Sequence, residues 1–207
     1  MEKVGVVDYA AGNLTSVETG LRRLGVQYVV SGSPVDLADC DRIIFPGVGE
    51  ARAAMRELRV RGLDVFLPKF ADSGKPLLGI CIGAQIILSL SEENDTRCLD
   101  MLPGRVVRFP DGSGLKVPHM GWNEVEQTGD SILFRGIPDG SSFYFVHSYY
   151  PRPDRSDDVL GRTEYGVSFV SAFGRGNLYA VQFHPEKSGE WGITLLSNFL
   201  EAPAGGA

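Results

Sequence analysis

The segment Pro76-Leu77-Leu78-Gly79-Ile80 constrains the chain most tightly. It is apolar throughout, as a strand buried on both faces must be. A helical pattern then starts at once and continues through Ile86, Ile87 and Leu90, with no loop between. A buried strand that feeds straight into a helix belongs to a parallel sheet, because the crossover has to return over one face of that sheet. The neighbouring sequence repeats the pattern. KVGVV (3–7), QYVV (27–30) and RIIF (42–45) read as further strands. Leu14, Val17, Leu21 and Leu24 recur at helical spacing before Gly25, and 50–73 is helical in character up to Ser73-Gly74. The first half is therefore expected to be α/β, a mostly parallel sheet with helices on both faces.

The second half changes style. FYFVHSYY (143–150), VLGRTEY (159–165), VSFVSAF (167–173) and NLYAVQFH (177–184) are closely spaced strands joined by short turns. They predict an antiparallel section added to the parallel one. A final helix is expected to turn Ile193, Leu196, Phe199 and Leu200 inward, with Ser188 as its N-cap. With 207 residues, 43% of them hydrophobic, the chain suits one domain over 1–202, followed by a flexible tail at 203–207. The net charge of −6 argues against a nucleic-acid binder. The longest apolar stretch, Leu77 to Leu90, has 14 residues and contains Gln85, whereas a membrane span needs about 20. The beginning MEKVGVVDY has no signal-peptide pattern. The expectation is a cytoplasmic protein that meets neither membrane nor nucleic acid. The three cysteines, 40, 81 and 98, form neither a disulfide framework nor a zinc motif, and no metal or cofactor is expected.

Within this frame Gly79-Ile80-Cys81-Ile82-Gly83 reads as a nucleophile elbow with cysteine at its apex. The turn is sharp, and a Cβ at either glycine is expected to clash. The helix N-terminus favours a thiolate, and the Ile82 N–H lies where it can donate to an oxyanion. A nucleophile needs a base, and the base needs an orienting acceptor. His184-Pro185-Glu186, at the end of a strand, offers both: in an extended segment positions i and i+2 share a side. Pro46-Gly47-Val48-Gly49 follows another strand and exposes backbone N–H groups, a candidate second oxyanion donor at Val48. It is no phosphate loop, since no Gly-Lys-Ser/Thr follows. His147 and His119 are either rival bases or hydrogen-bonded structural histidines. Pro118-His119-Met120-Gly121-Trp122-Asn123 is either a surface anchor for a partner or a core loop filled by Trp122. Cys40 and Cys98 lack glycines and a nearby base and read as structural.

Gly-x-Cys-x-Gly-x-Gln at 79–85, together with His-Pro-Glu at 184–186, resembles the class I, or triad, glutamine amidotransferases over nearly the whole chain. PGVG (46–49), KVPHMGWNEV (116–125), YFVHSYY (144–150) and FHPEKS (183–188) are similar to the branch of that family that serves imidazole glycerol phosphate synthases. The resemblance implies a flavodoxin-like fold. It implies hydrolysis of L-glutamine to glutamate and ammonia by a Cys81, His184, Glu186 triad through a γ-glutamyl thioester. Val48 and Ile82 would form the oxyanion hole, with the peptide at Val48 turned inward. Gly47, Gln85, Ser148 and Tyr149 would bind glutamine. Met120, Trp122 and Lys187 would face a (β/α)₈-barrel cyclase partner in a heterodimer. That partner would use the ammonia to make imidazole glycerol phosphate and an aminoimidazole carboxamide ribonucleotide in histidine biosynthesis. The alternatives are a glutaminase subunit feeding another synthase, and a non-catalytic subunit that only binds a partner.

Overall fold

The computed structural model describes residues 2–10, 14–110 and 115–204. Its parallel block follows the expected order. β1 (Lys3–Val7), α1 (Thr15–Arg23), β2 (Gln27–Ser31), α2 (Pro34–Ala38) and β3 (Arg42–Gly47) come first. α3 (Ala51–Arg61), α4 (Leu63–Asp72), β4 (Leu77–Cys81) and the single-turn α5 (Ile82–Gln85) follow. Strands then dominate: β5 (Leu90–Ser91), β6 (Thr96–Arg97), β7 (Gly104–Arg108), β8 (His119–Gln127), β9 (Ser141–His147), β10 (Tyr149–Pro153), β11 (Val159–Glu164), β12 (Ser168–Arg175) and β13 (Leu178–Val181). The helix α6 (Gly189–Leu200) completes the order.

Nine strands form one sheet in the order β2-β1-β3-β4-β13-β12-β11-β8-β9. The five from β2 to β13 run parallel, and each later pairing is antiparallel. Both expected sections are therefore present and continuous. The apolar strands alternate their side chains between two cores, as period two requires. Ile43 and Phe45 pack with Leu58, Leu63 and Leu67 on one face. Val4, Val6, Ile44 and Ile80 pack with Val17, Leu21, Leu196 and Phe199 on the other. Arg42, itself buried, fastens α6 to β3 by donating to the carbonyls of Phe199 and Ala202 at 2.9 and 3.2 Å, and it pairs with Glu2. A cation there satisfies carbonyls that a helix leaves open at its C-terminus. Among the described residues no helix is long and apolar enough to cross a membrane.

Several expectations need correction. The helical stretch 50–73 is two helices, broken at Gly62 with φ +70°. The helix after Cys81 stops at Gln85 instead of reaching Leu90. The carbonyls of Ile86, Ile87 and Leu88 accept from the N–H groups of 99–102, so they are not free to continue a helix. That turn begins a second sheet, β10-β7-β5-β6, which the sequence patterns did not reveal. FYFVHSYY is two strands that part at Ser148, β9 pairing with β8 and β10 with β7. Ser188 occupies the N-cap position of α6 but does not cap with its side chain. Its hydroxyl donates to the His184 carbonyl at 2.6 Å and accepts from the Tyr144 N–H at 2.9 Å. Ile193 and Leu200 are only half-buried, and Leu195 takes a core position beside Leu196 and Phe199. Pro203 and Ala204 are exposed, and the rest of the expected tail, 205–207, lies outside the described residues.

Candidate active site

The carboxyl ends of three adjacent parallel strands build the site. β4 ends at Cys81 and lies between β3 and β13. Gly47, the last residue of β3, pairs with Cys81 in register. Val181, the last residue of β13, pairs with Ile80, which brings 182–184 alongside the cysteine. Ligands bind at such strand ends in open α/β sheets.

The elbow is sterically enforced. Cys81 has φ +56°, a left-handed conformation that a non-glycine residue adopts at a cost. A Cβ on Gly79 would lie 2.6 Å from Ile87 Cδ1 and 2.9 Å from the Ala84 nitrogen. One on Gly83 would overlap the Phe45 carbonyl, and one on Gly47 would overlap the Tyr9 hydroxyl. Both glycines flanking the elbow are thus required, as expected. α5 is a single turn, so its macrodipole is small, and the charge acting on this site comes from side chains.

His184 and Glu186 meet as expected, with Nδ1 to Oε1 at 2.7 Å and both side chains almost fully buried. The local geometry differs from the expectation: Pro185–Lys187 form a 3₁₀ turn instead of an extended segment. His184 holds the N-cap position of that turn, and Pro185 sits in its first position. Burial alone would lower the His184 pKa. The charge of the neighbouring Cys81, then the hydrogen bond and charge of Glu186, outweigh it and push it up to about 10. His184 Nε2, Glu186 Oε2 and Gln85 Oε1 are buried at the site with no hydrogen-bond partner among the described residues, as is the hydroxyl of Tyr9 beside Gly47. Native proteins leave few such atoms inside, and a catalytic or binding role is one of the reasons for keeping them.

Cys81, Ile82, Gln85, Ser148, Tyr149 and His184 line one cavity of about 260 Å³, with Val48 at its edge and 40% exposed. Gly47 lies to one side, in a small cleft shared with Val48, His184, Glu186 and Lys187. Met120 and Trp122 are 60% and 58% exposed on β8. That exposure rules out a core loop filled by Trp122. The Trp122 ring lies 6.2 Å from that of Tyr144 and reaches towards Gly189, next to the turn that carries Lys187. Cys40 and Cys98 lie outside the cavity. Burial pushes both thiols up, Cys98 to about 12.

The two other histidines are not rival bases. They sit directly opposite each other in the β8–β9 ladder, His119 Nδ1 to His147 Nε2 at 3.0 Å. The Tyr149 carbonyl, 2.8 Å from His147 Nδ1, can only accept, so Nδ1 carries the proton and Nε2 accepts. His119 therefore donates from Nδ1, and its Nε2 accepts from Asn123 Nδ2 at 3.2 Å. Asn123 in turn donates to the Glu164 carbonyl at 2.9 Å. Every ring nitrogen is committed, and burial lowers the pKa of His119 to about 4 and of His147 to about 3.

The sequence reading missed Gln182. Its side chain is fully buried and stands 3.7 Å from the Cys81 sulfur and 2.9 Å from Gln85. A glutamine in the otherwise apolar run Tyr179-Ala180-Val181, two residues before His184, was the available signal.

Residues 5–202 match the family described as glutamine amidotransferase class-I. The chain belongs to this family. Other members of the class-I glutamine amidotransferases are similar over almost their whole length. A protein named imidazole glycerol phosphate synthase subunit HisH from Maridesulfovibrio salexigens is 48% identical, covering 96% of this chain and 96% of that protein. One of the same name from Moorella thermoacetica is 48% identical over 97% and 95%. Among solved structures, PurLQS from Thermotoga maritima matches with a TM-score of 0.75 at 19% identity, over 97% of this chain and 98% of that one. A glutamine amidotransferase from the same organism matches with a TM-score of 0.67 at 18% identity, over 97% and 81%. At those identities the structures speak for the fold alone, an α/β fold shared with the amidotransferase family.

Proposed function

We infer that the chain is the glutaminase subunit of an imidazole glycerol phosphate synthase, hydrolysing L-glutamine to glutamate and ammonia. One observation carries the reading: a strained elbow cysteine shares a cavity with a histidine held at 2.7 Å by a buried carboxylate, in a chain 48% identical to HisH subunits.

The mechanism follows from those groups. The Cys81 sulfur, its proton passed to His184, attacks the side-chain amide carbon of glutamine. A C–S bond forms, and the carbonyl electron pair moves to oxygen. Backbone N–H groups of Val48 and Ile82 receive that oxyanion. For this the peptide at Val48 has to turn its N–H inward. His184 gives its Nε2 proton to the departing nitrogen, the C–N bond breaks, and ammonia leaves a γ-glutamyl thioester. Water then attacks the thioester, His184 takes its proton, and the sulfur departs with its electron pair, releasing glutamate. Glu186 keeps the imidazole oriented and stabilises its charged form. Gln85 and the backbone at Gly47, Ser148 and Tyr149 hold the amino-acid end.

The ammonia passes to a (β/α)₈-barrel cyclase bound as a heterodimer partner in the cytoplasm. Met120 and Trp122, large apolar side chains exposed side by side on one strand, form with Lys187 the surface that meets it. The whole of 1–202 acts as one amidotransferase domain. The test is glutamate release from L-glutamine by the purified chain, alone and then with a barrel cyclase and its ribonucleotide ligand. Strong stimulation by both together is expected. High activity alone, unchanged by the partner, would contradict the subunit reading, and no activity in any mixture would contradict the glutaminase itself.

A further inference from the structure

The mechanism above leaves Gln182 unused, yet its carboxamide is the side chain that joins the nucleophile to the substrate-binding wall. The orientation of this network is set by a single group. The Tyr149 carbonyl can only accept, so the Gln85 atom 2.9 Å from it is the nitrogen. The same nitrogen lies 2.9 Å from the Gln182 amide, so the atom facing it is the Gln182 oxygen. Gln182 Nε2 is then the atom turned to the Cys81 sulfur at 3.7 Å, and it donates. One backbone carbonyl thus fixes both amides. Gln85 commits both of its N–H groups, and its oxygen, buried and without a partner, is what it offers to the cavity it lines.

We propose that Gln182 is a positioning residue with two consequences for the glutaminase reaction. It donates a hydrogen bond to the sulfur, which favours the charged, nucleophilic form and fixes the rotamer of Cys81. It also locks Gln85 so that an acceptor faces the bound amino acid, which selects a substrate presenting an N–H donor at that point. β13 supplies the rigidity: Gln182 follows its last residue, and the Gln182 N–H donates to the Ser171 carbonyl at 2.8 Å. This rests on the glutaminase reading for its second consequence. The first is readable in the resting protein without any turnover.

The experiment is the pH dependence of Cys81 alkylation by iodoacetamide in the full chain, with the modified site identified by peptide mass. Gln182→Met removes both hydrogen bonds at similar volume. Its alkylation midpoint is expected to move up by about one pH unit, the size of effect that losing one hydrogen bond to a charged group produces. In the complex with the barrel cyclase, KM for glutamine is expected to rise severalfold and kcat to fall about tenfold. Gln182→Asn keeps an amide but is one methylene too short to reach both partners. It is expected to shift the midpoint the same way by less, and it carries the test if the Met variant does not fold. An alkylation profile that superimposes on the wild-type curve in either folded variant would overturn the proposal and leave Gln182 a packing residue. That outcome would leave the glutaminase reading standing, since wild-type glutamate release tests it separately.

Discussion

Two histidine sites border the same cavity, and they are tuned in opposite directions. His184 and His147 are both buried. His184 faces the Cys81 sulfur and the Glu186 carboxylate and is pushed up to about 10. His147 is lowered to about 3 by burial, despite its hydrogen bond to the Tyr149 carbonyl, with the nearby His119 and His184 adding to the shift. Depth is therefore not what separates a charged histidine from a neutral one. The charge of the partner decides, because a neutral carbonyl does not repay the desolvation of an imidazolium as an anion does. One histidine on the cavity lining is held charged, and another is held neutral and fully hydrogen-bonded.

Removing the proposed nucleophile is expected to have the largest effect. Cys81→Ser is expected to lower glutamate release on the order of 10³-fold or more, with the fold intact by circular dichroism. Survival of most of the activity would mean that the nucleophile lies elsewhere. Glu186→Gln keeps the shape of the pair but removes its charge. A kcat loss of about 10²-fold is expected, with the basic limb of the pH–rate profile moving to lower pH as His184 loses a charge that raised its pKa. The scaffold side is expected to be more tolerant. His147→Phe strands the His119 Nδ1–H and takes one donor from the Tyr149 carbonyl. It is expected to cost about 1–3 kcal/mol in a urea melt, with about tenfold or less in kcat.

The smallest and most diagnostic effect lies in the pH dependence of stability. The His184 pKa is raised on folding, so its contribution is fully present below the unfolded value near 6.5 and is lost as pH rises towards about 10. The pKa values of His119 and His147 are lowered. Their contribution is present above about 6.5 and is lost as pH falls towards about 4 and about 3. Urea midpoints of wild type and His147→Phe are expected to converge as pH falls through the lower window. Parallel curves there would mean that the pair does not resist protonation.

The Cys81 and His184 site was legible in the sequence because its constraints are local. Strand, elbow and glycines fall within eight residues, and His184 and Glu186 are two apart. Even the error there was local, a 3₁₀ turn in place of an extended segment. The neutral histidines were not legible because they depend on pairing. His119 and His147 are 28 residues apart and meet only through the β8–β9 register. Gln182 reaches Cys81, 101 residues away, and Gln85, 97 away, only because β13 lies beside β4. The second sheet was hidden for a related reason: β5 and β6 are two residues each, too short to carry a period.

The chain has three histidines, so their charge states can be read one by one. Nitrogen-15 imidazole NMR across a pH titration, assigned by single substitutions, tests the central claim most directly. At neutral pH one imidazolium, His184, and two neutral rings protonated at Nδ1, His119 and His147, are expected, with His184 losing its proton only near pH 10. A His184 that titrates near its ordinary value of about 6.5, or a His147 that is charged at neutral pH, would contradict the division between a charged and a neutral histidine.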